Sequence, residues 1–366
     1  MSDKKDLIRE EILNIKPYVP GKPIEEVKRE LGLEKVIKLA SNENPLGASQ
    51  SAIDVLKKAA EDVHIYPDGN VYRLRQKLSE KLGVAENELI FGNGSDEIVI
   101  MLGQAFMKPE DEIIMAETTF SEYRFSANIM GGNIVEVPLK DYTHDLDAML
   151  EAITEQTKMV FVCNPNNPTG TMVGQNEVEE FLEQVPDDVL VIFDEAYSEY
   201  ATSSDYPETI DYLEEYDNLI ILRTFSKIHG LAGLRIGYGI ADEEIISYID
   251  RVRQPFNIGA LAQKAAIASL EDEEHVQQSL EYNQQGKKYL YQQFEELGLD
   301  YVPTQTNFIL VDVERDNNEV FQEMLERGVI IRSMDSYGYD TKIRVTIGLP
   351  DENKTFIKEL KEVISK

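Results

Sequence analysis

Val189-Leu190-Val191-Ile192-Phe193-Asp194-Glu195-Ala196-Tyr197 joins an apolar run of five residues to a pair of carboxylates. Five apolar residues without alternation predict a strand at 189–193 that is covered on both faces, the habit of central parallel strands. Working outward, Glu88–Phe91, Glu112–Met115, Asn133–Val137, Met159–Cys163 and Leu219–Leu222 read as further strands, and 96–106, 145–153 and 176–184 have helical spacing. This alternation predicts an α/β protein whose large domain holds a mostly parallel central sheet flanked by helices. Helical patterns at 243–253 and 260–299 lead to a second group of strands, Thr306–Val311, Val329–Arg332 and Ile343–Ile347, with helices at 317–326 and 351–364. That group predicts a smaller α/β domain. Short helices at 6–14 and 24–31 flank the proline-rich stretch Pro17–Pro23, which favours an extended arm. The expected division is an arm and part of the small domain over 1–40, a large domain over 41–253, and a linking helix with the small domain over 254–366.

The chain has 366 residues, enough for a sizeable core, with 36 Lys+Arg against 68 Asp+Glu and a formal charge of −32. Such a surface repels nucleic acid and anionic membranes, so no nucleic-acid or membrane partner is expected, and an anionic small molecule needs a local basic pocket. One cysteine, Cys163, excludes a disulfide framework, and the four histidines at 64, 144, 229 and 275 form no zinc-ligand cluster, so no metal site is expected. The chain starts on a charged helical pattern without the apolar stretch of a secretory signal, and a cytoplasmic protein is the expectation.

Chemistry-bearing residues gather where the predicted strands end, the place where open α/β sheets bind ligands. Gly92-Asn93-Gly94-Ser95-Asp96-Glu97 joins a strand to a helix and reads either as an anion site or as a turn with Ser95 or Asp96 as cap. It matches neither the Walker loop nor the dinucleotide fingerprint. Asn164-Pro165-Asn166-Asn167-Pro168-Thr169-Gly170 reads equally as a rigid turn or a ligand clamp. A carboxylate at the end of a buried strand needs a partner, which Asp194 would find in a cation or a protonated group, while Glu195 faces the edge or solvent. Finally, Arg223-Thr224-Phe225-Ser226-Lys227-Ile228-His229-Gly230-Leu231-Ala232-Gly233-Leu234-Arg235 combines hydroxyls and an arginine suited to phosphate with a candidate covalent amine, Lys227. Its Thr-x-x-Lys spacing invites an acyl-transfer reading, but the companion motifs of penicillin-type enzymes are missing. His229 packs or hydrogen-bonds here and is no base.

A lysine for a Schiff base, an aspartate for a pyridinium nitrogen and donors for a phosphate are what a pyridoxal phosphate enzyme requires. Taken in order with Pro17–Gly21, Ser41–Pro45, Tyr66–Asp68 and Ile343–Gly348, the motifs resemble those of the fold-type I aminotransferases, specifically the histidinol-phosphate aminotransferase family. The resemblance extends over nearly the whole chain and implies pyridoxal 5'-phosphate as cofactor. It implies that Lys227 carries the cofactor and moves the substrate proton, that Asp194 keeps the pyridine nitrogen protonated, and that Asn167 and Tyr197 contact the cofactor O3′. Gly94, Ser95, Asp96, Thr224, Ser226 and Arg235 would hold its phosphate. Phe120 would cover the ring, and Tyr66 would reach in from the other subunit of a homodimer. For substrates it implies Arg344 at the carboxylate when glutamate is the amino donor, Asn167 as a further substrate contact, and Arg332 and Tyr18 as candidates for the phosphate of an imidazole substrate. Two departures bear on the acceptor: Ser333-Met334-Asp335 follows the first arginine where the family often has proline, and Gln254–Ala260 lacks a frequent Asn-Ser ending.

The expected reaction is therefore reversible amino transfer from L-glutamate to imidazole-acetol phosphate, giving L-histidinol phosphate and 2-oxoglutarate in histidine biosynthesis. The alternative is an aromatic amino acid aminotransferase acting on Phe or Tyr. More distant readings are a decarboxylase of a phosphorylated amino acid and a non-enzymatic regulator on the same fold. The regulator is disfavoured because Lys227 and Asp194 are both present.

Overall fold

A computed structural model of the chain describes residues 7–13, 15, 17 and 21–365. Its centre is a seven-stranded sheet in the spatial order Leu89–Gly92, Gly237–Ala241, Leu219–Thr224, Leu190–Asp194, Thr157–Cys163, Glu112–Ala116, Asn133–Val137. The last five run parallel, and Gly237–Ala241 is antiparallel to both its neighbours, so the sheet is mostly parallel as expected. Alternate residues of the apolar runs enter cores on opposite faces: Val191 and Phe193 go to one, Leu190 and Ile192 to the other. Burial on both faces is why these strands carry no polar alternation.

Gly237–Ala241 is absent from the expected strands because Gly237-Tyr238-Gly239 reads as a weak strand. Close approach of neighbouring atoms explains its glycines: backbone at Gly237 and side chains at Gly239. A Cβ on Gly237 would stand 2.5 Å from the Ser95 amide nitrogen, and one on Gly239 would stand 3.0 Å from Ile90. Position 237 thus excludes a side chain, and one at position 239 would require Ile90 to give way.

A four-stranded sheet, Arg332–Ser333, Lys342–Thr346, Phe308–Asp312 and Tyr301–Val302 in spatial order, forms the smaller unit. The expected strand 329–332 divides in two: Val329–Ile330 pairs in parallel with Ile37–Lys38, and Arg332–Ser333 pairs with the four-stranded sheet. Leu39 joins this unit's core, and Val27 and Ala40 pack with Leu325 and Ile330, so the segment before residue 41 contributes to the small unit. The expected helix over 260–299 is two helices, Ala260–Leu270 and Glu273–Leu297; Asp272 caps the second by accepting from the His275 amide. Ala262, Ala265, Ala266 and Leu270 belong to the large core, so this stretch is on the large unit's side of the structure although it follows residue 253. Tyr18, Val19 and Pro20 of the expected arm lie outside the described residues.

Two buried histidines make the fold acid-sensitive. Burial pushes both His144 and His229 down from 6.5 to about 4. The unfolded chain takes up these protons first as pH falls below 6.5, so stability is lost between pH 6.5 and 4 and is unaffected above that window. Each histidine is expected to contribute about 1.4 kcal/mol per pH unit there. Denaturation of wild type and a His144→Gln/His229→Gln double variant at pH 7 and pH 5 checks this; equal pH slopes would contradict it.

Candidate active site

The polar motifs meet along the carboxyl ends of the parallel strands. Gly94, at φ +85, ends the turn into the Ser95–Phe106 helix, whose first amides lack intrahelical acceptors. Arg235 lies over this turn, donating from Nη2 to Asp96 Oδ2 at 3.0 Å and from Nη1 to Ser226 Oγ at 3.4 Å. A Cβ on Gly94 would come within 2.5 Å of Nη2 and displace the guanidinium, and the φ of +85 separately favours glycine at this position. Thr224 Oγ1 accepts from the Ser226 amide at 3.0 Å and ties the second hydroxyl into the same group. A helix N-terminus, two hydroxyls and an arginine together form a cradle for a phosphate.

Asp194 stands at the end of its strand with 2% exposure. Burial raises its carboxyl from 3.8 to about 6, opposed by hydrogen bonds from Tyr123 and the Ala196 amide and, more weakly, by the Lys227 charge. Tyr123 Oη donates to Asp194 Oδ2 at 2.7 Å. A buried carboxylate so placed suits a cationic heterocycle nitrogen. Lys227 Nζ lies 5.3 Å from the centre of the Tyr197 ring, and Tyr197 Oη accepts from Asn42 Nδ2 at 2.9 Å. Asn42 in turn accepts from Thr346 of the small unit. Phe120 packs edge-on to Tyr123 with centroids 5.7 Å apart.

Asn167 accepts from Arg344 Nη1, whose other nitrogen Nη2 donates to the Ala40 carbonyl at 2.8 Å, and the guanidinium lies 5.1 Å from the centre of the Phe308 ring. Asn166 braces the same loop, accepting from Thr119 at 2.7 Å and donating to the Thr118 carbonyl at 3.1 Å. Arg332 is paired directly opposite Arg344 in the antiparallel ladder. Like charges at such positions repel, which an anion between them relieves. Asp335 is exposed, and the buried neighbour in that departure is Met334.

Tyr66 stands apart. Its ring is 80% exposed and stacks on Phe256 with centroids 4.9 Å apart. The expectation that Glu195 faces edge or solvent is overturned: its side chain is fully buried, in an ion pair with Arg223 Nη2 at 2.8 Å and accepting from Thr209. Residue 195 points away from the Asp194 side and needed a buried cation, which Arg223 supplies. His229 Nδ1 is 2.8 Å from Ser269 Oγ, so this residue is a hydrogen-bonded core histidine as expected. Asn42 and Tyr123 were missed as site residues; their roles depend on contacts 155 and 71 residues away in sequence.

The donor set fits pyridoxal phosphate: an amine, a buried carboxylate, and a group of helix amides, hydroxyls and an arginine suited to a phosphate. Among the described residues no group of three or more His, Cys, Asp or Glu could hold a metal ion, and no helix is long and apolar enough to cross a membrane.

Fold and site together define an aminotransferase. Residues 34–360 match the family model of class I and II aminotransferases. The chain is 58% identical over 358 residues to the histidinol-phosphate aminotransferase of Moorella thermoacetica, covering 98% of this chain and 93% of that one. It is 50% identical to the enzyme of the same name from Caldicellulosiruptor saccharolyticus, covering 98% and 100%. Among solved structures, histidinol-phosphate aminotransferase from Sinorhizobium meliloti in complex with pyridoxal-5'-phosphate superposes with a TM-score of 0.90 at 26% identity, covering 98% of this chain and 97% of that one. The chain belongs to the histidinol-phosphate aminotransferase family.

Proposed function

We propose that this enzyme transfers the amino group of L-glutamate to imidazole-acetol phosphate, giving 2-oxoglutarate and L-histidinol phosphate in histidine biosynthesis, with pyridoxal 5'-phosphate as cofactor. The observation that carries the reading is the juxtaposition of Arg332 and Arg344 on paired strands beside a lysine–aspartate site. When bound, pyridoxal phosphate supplies an electron-withdrawing ring and an aldehyde carbon that exchanges amines. Gly94, Ser95, Asp96, Thr224, Ser226 and Arg235 hold its phosphate, and Phe120 covers the ring. Asp194 keeps a proton on the ring nitrogen, and Asn167 and Tyr197 orient the ring oxygen O3′. Lys227 anchors the aldehyde carbon, and when released it moves the proton between the substrate Cα and the cofactor C4′.

Arg344 engages the carboxylate of glutamate in one half of the cycle. Arg332, with Tyr18, engages the phosphate of the acceptor in the other. Tyr66, exposed in a single chain, completes the phosphate site of a second copy in a homodimer. In this reading residues 41–253 form the cofactor domain, and 1–40 with 254–366 supply the substrate arginines.

The two anions separate the arginines experimentally. Arg332→Ala removes a charge-assisted contact and is expected to raise KM for imidazole-acetol phosphate by about 10- to 100-fold. The half-reaction with glutamate should change less than about threefold, because Arg344, although paired opposite Arg332, keeps its own contacts to Asn167 and the Ala40 carbonyl. Equal losses in both half-reactions would contradict the assignment.

A further inference from the structure

Tyr123 is a further residue of this site, one step removed from the chemistry. It lies on the Glu122–Met130 helix with no exposed surface, its ring stacked on Phe161 at 4.6 Å between centroids and edge-on to Phe120. This aromatic wedge fixes the hydroxyl, which donates to Asp194 Oδ2 at 2.7 Å, while Oδ1 accepts from the Ala196 amide at 3.2 Å. Each carboxylate oxygen therefore has one protein donor and keeps lone-pair capacity for a further partner. Burial and the Asp194 charge raise the phenol far above its ordinary value, so Tyr123 stays a donor through the working pH range.

We propose that Tyr123 is a positioning residue whose hydroxyl holds Asp194 ionised and aimed, so that the proton shared with the cofactor ring stays on the ring nitrogen. The proposal rests on the reading of Asp194 as the partner of that nitrogen. A carboxylate that accepts a hydrogen bond is a weaker base, and its ionised form is favoured in a buried setting. Removing the phenol oxygen makes Asp194 a stronger base and draws the proton toward it. The ring then loses positive charge and withdraws electrons less well. Other groups act on the same carboxylate. Cys163, on the neighbouring strand, has its thiol pushed up to about 12 by burial and stays neutral. Asp96 from the helix N-terminus raises the Asp194 carboxyl, and Lys227 from the loop after Leu219–Thr224 lowers it. Tyr123 has the largest stabilising influence among them, and it alone does so as a neutral donor from a separate helix.

Tyr123→Phe, 3-fluorotyrosine at position 123 and Asp194→Asn test the proposal together. In apo protein carrying 13C-labelled aspartate, the Asp194 carboxyl is expected to titrate about one pH unit higher in Tyr123→Phe. With the fluorinated residue, a stronger donor that keeps the ring packing, it should titrate lower than in wild type. In enzyme loaded with 15N-ring-labelled cofactor, the nitrogen signal of Tyr123→Phe should move toward the unprotonated position. Its kcat/KM should fall about tenfold in both half-reactions. In the Asp194→Asn background, adding Tyr123→Phe should change kcat/KM by less than about twofold, because the charge it acts through is gone. A ring-nitrogen signal unchanged in Tyr123→Phe but shifted in Asp194→Asn would overturn the role of Tyr123. A signal unchanged in Asp194→Asn would overturn the underlying reading of Asp194.

Discussion

Enzyme carrying Lys227→Ala is expected to bind its cofactor reversibly and to turn over at least about 10⁴-fold more slowly than wild type. In the proposed reading the loss is large because one amine would serve twice, anchoring the aldehyde carbon and moving the proton on which each half of the cycle depends. No neighbour can substitute. Tyr197, whose ring lies 5.3 Å from Nζ, is held by Asn42, and Arg344 is engaged with Asn167 and the Ala40 carbonyl. Borohydride treatment of loaded wild type, followed by peptide mass mapping, should place the cofactor on Lys227. A label on another lysine, or activity within tenfold of wild type in the alanine variant, would contradict this role.

Asp194→Asn is expected to lower kcat/KM about 10²- to 10³-fold, the size of losses when a preorganised charge is removed from an enclosed site. The ring nitrogen serves both half-reactions, so the loss should be similar with glutamate and with the keto phosphate. A loss confined to one substrate would assign Asp194 to that substrate instead of the cofactor. The same substitution should stabilise the apo protein at alkaline pH. A carboxyl raised from 3.8 to about 6 is held protonated by the folded chain at pH values where the unfolded chain has released its proton. Its contribution to stability is present below pH 3.8, declines as pH rises through 6, and leaves a cost on the order of 3 kcal/mol at pH 8. Denaturation of apo wild type and apo Asp194→Asn at pH 8 should show that difference in favour of the variant. A less stable variant would mean that the buried carboxylate is already compensated.

Much of this arrangement was legible before any coordinates. The strand Asn133–Val137 and the helices Ile24–Leu31 and Asn317–Glu326 fall where their patterns predict, because each has a clear period and a polar or glycine boundary. The ends of the strands were legible to within two residues: Asp194, Asn167 and Lys227 follow apolar runs expected to end at 193, 163 and 222, and the strands end at Asp194, Cys163 and Thr224. Gly237–Ala241 was hidden because its glycines answer to neighbours, Ser95 and Ile90, which no local pattern reveals. The division at Asp272 was hidden because a capping aspartate inside a helical run looks like any other exposed acid. The contacts that orient the site were the least legible. Tyr123 and Asp194 lie on different elements, as do Asn42 and Tyr197, and the side chain of Glu195 turned inward because Arg223 is there to receive it. Pairings of this kind arise from the topology, after the strands have been ordered.

The central claim of the proposed reading is that Arg332, opposite Arg344 on the small sheet, selects a phosphorylated keto substrate as amino acceptor. Single-turnover absorbance measurements on enzyme whose cofactor has been aminated, with imidazole-acetol phosphate and phenylpyruvate compared at matched concentrations, test it most directly. Faster reaction with the keto phosphate by about 100-fold or more, reduced by Arg332→Ala, is the predicted result. Equal rates, or a preference for phenylpyruvate that Arg332→Ala leaves unchanged, would contradict the phosphate site and assign the enzyme to aromatic amino acids.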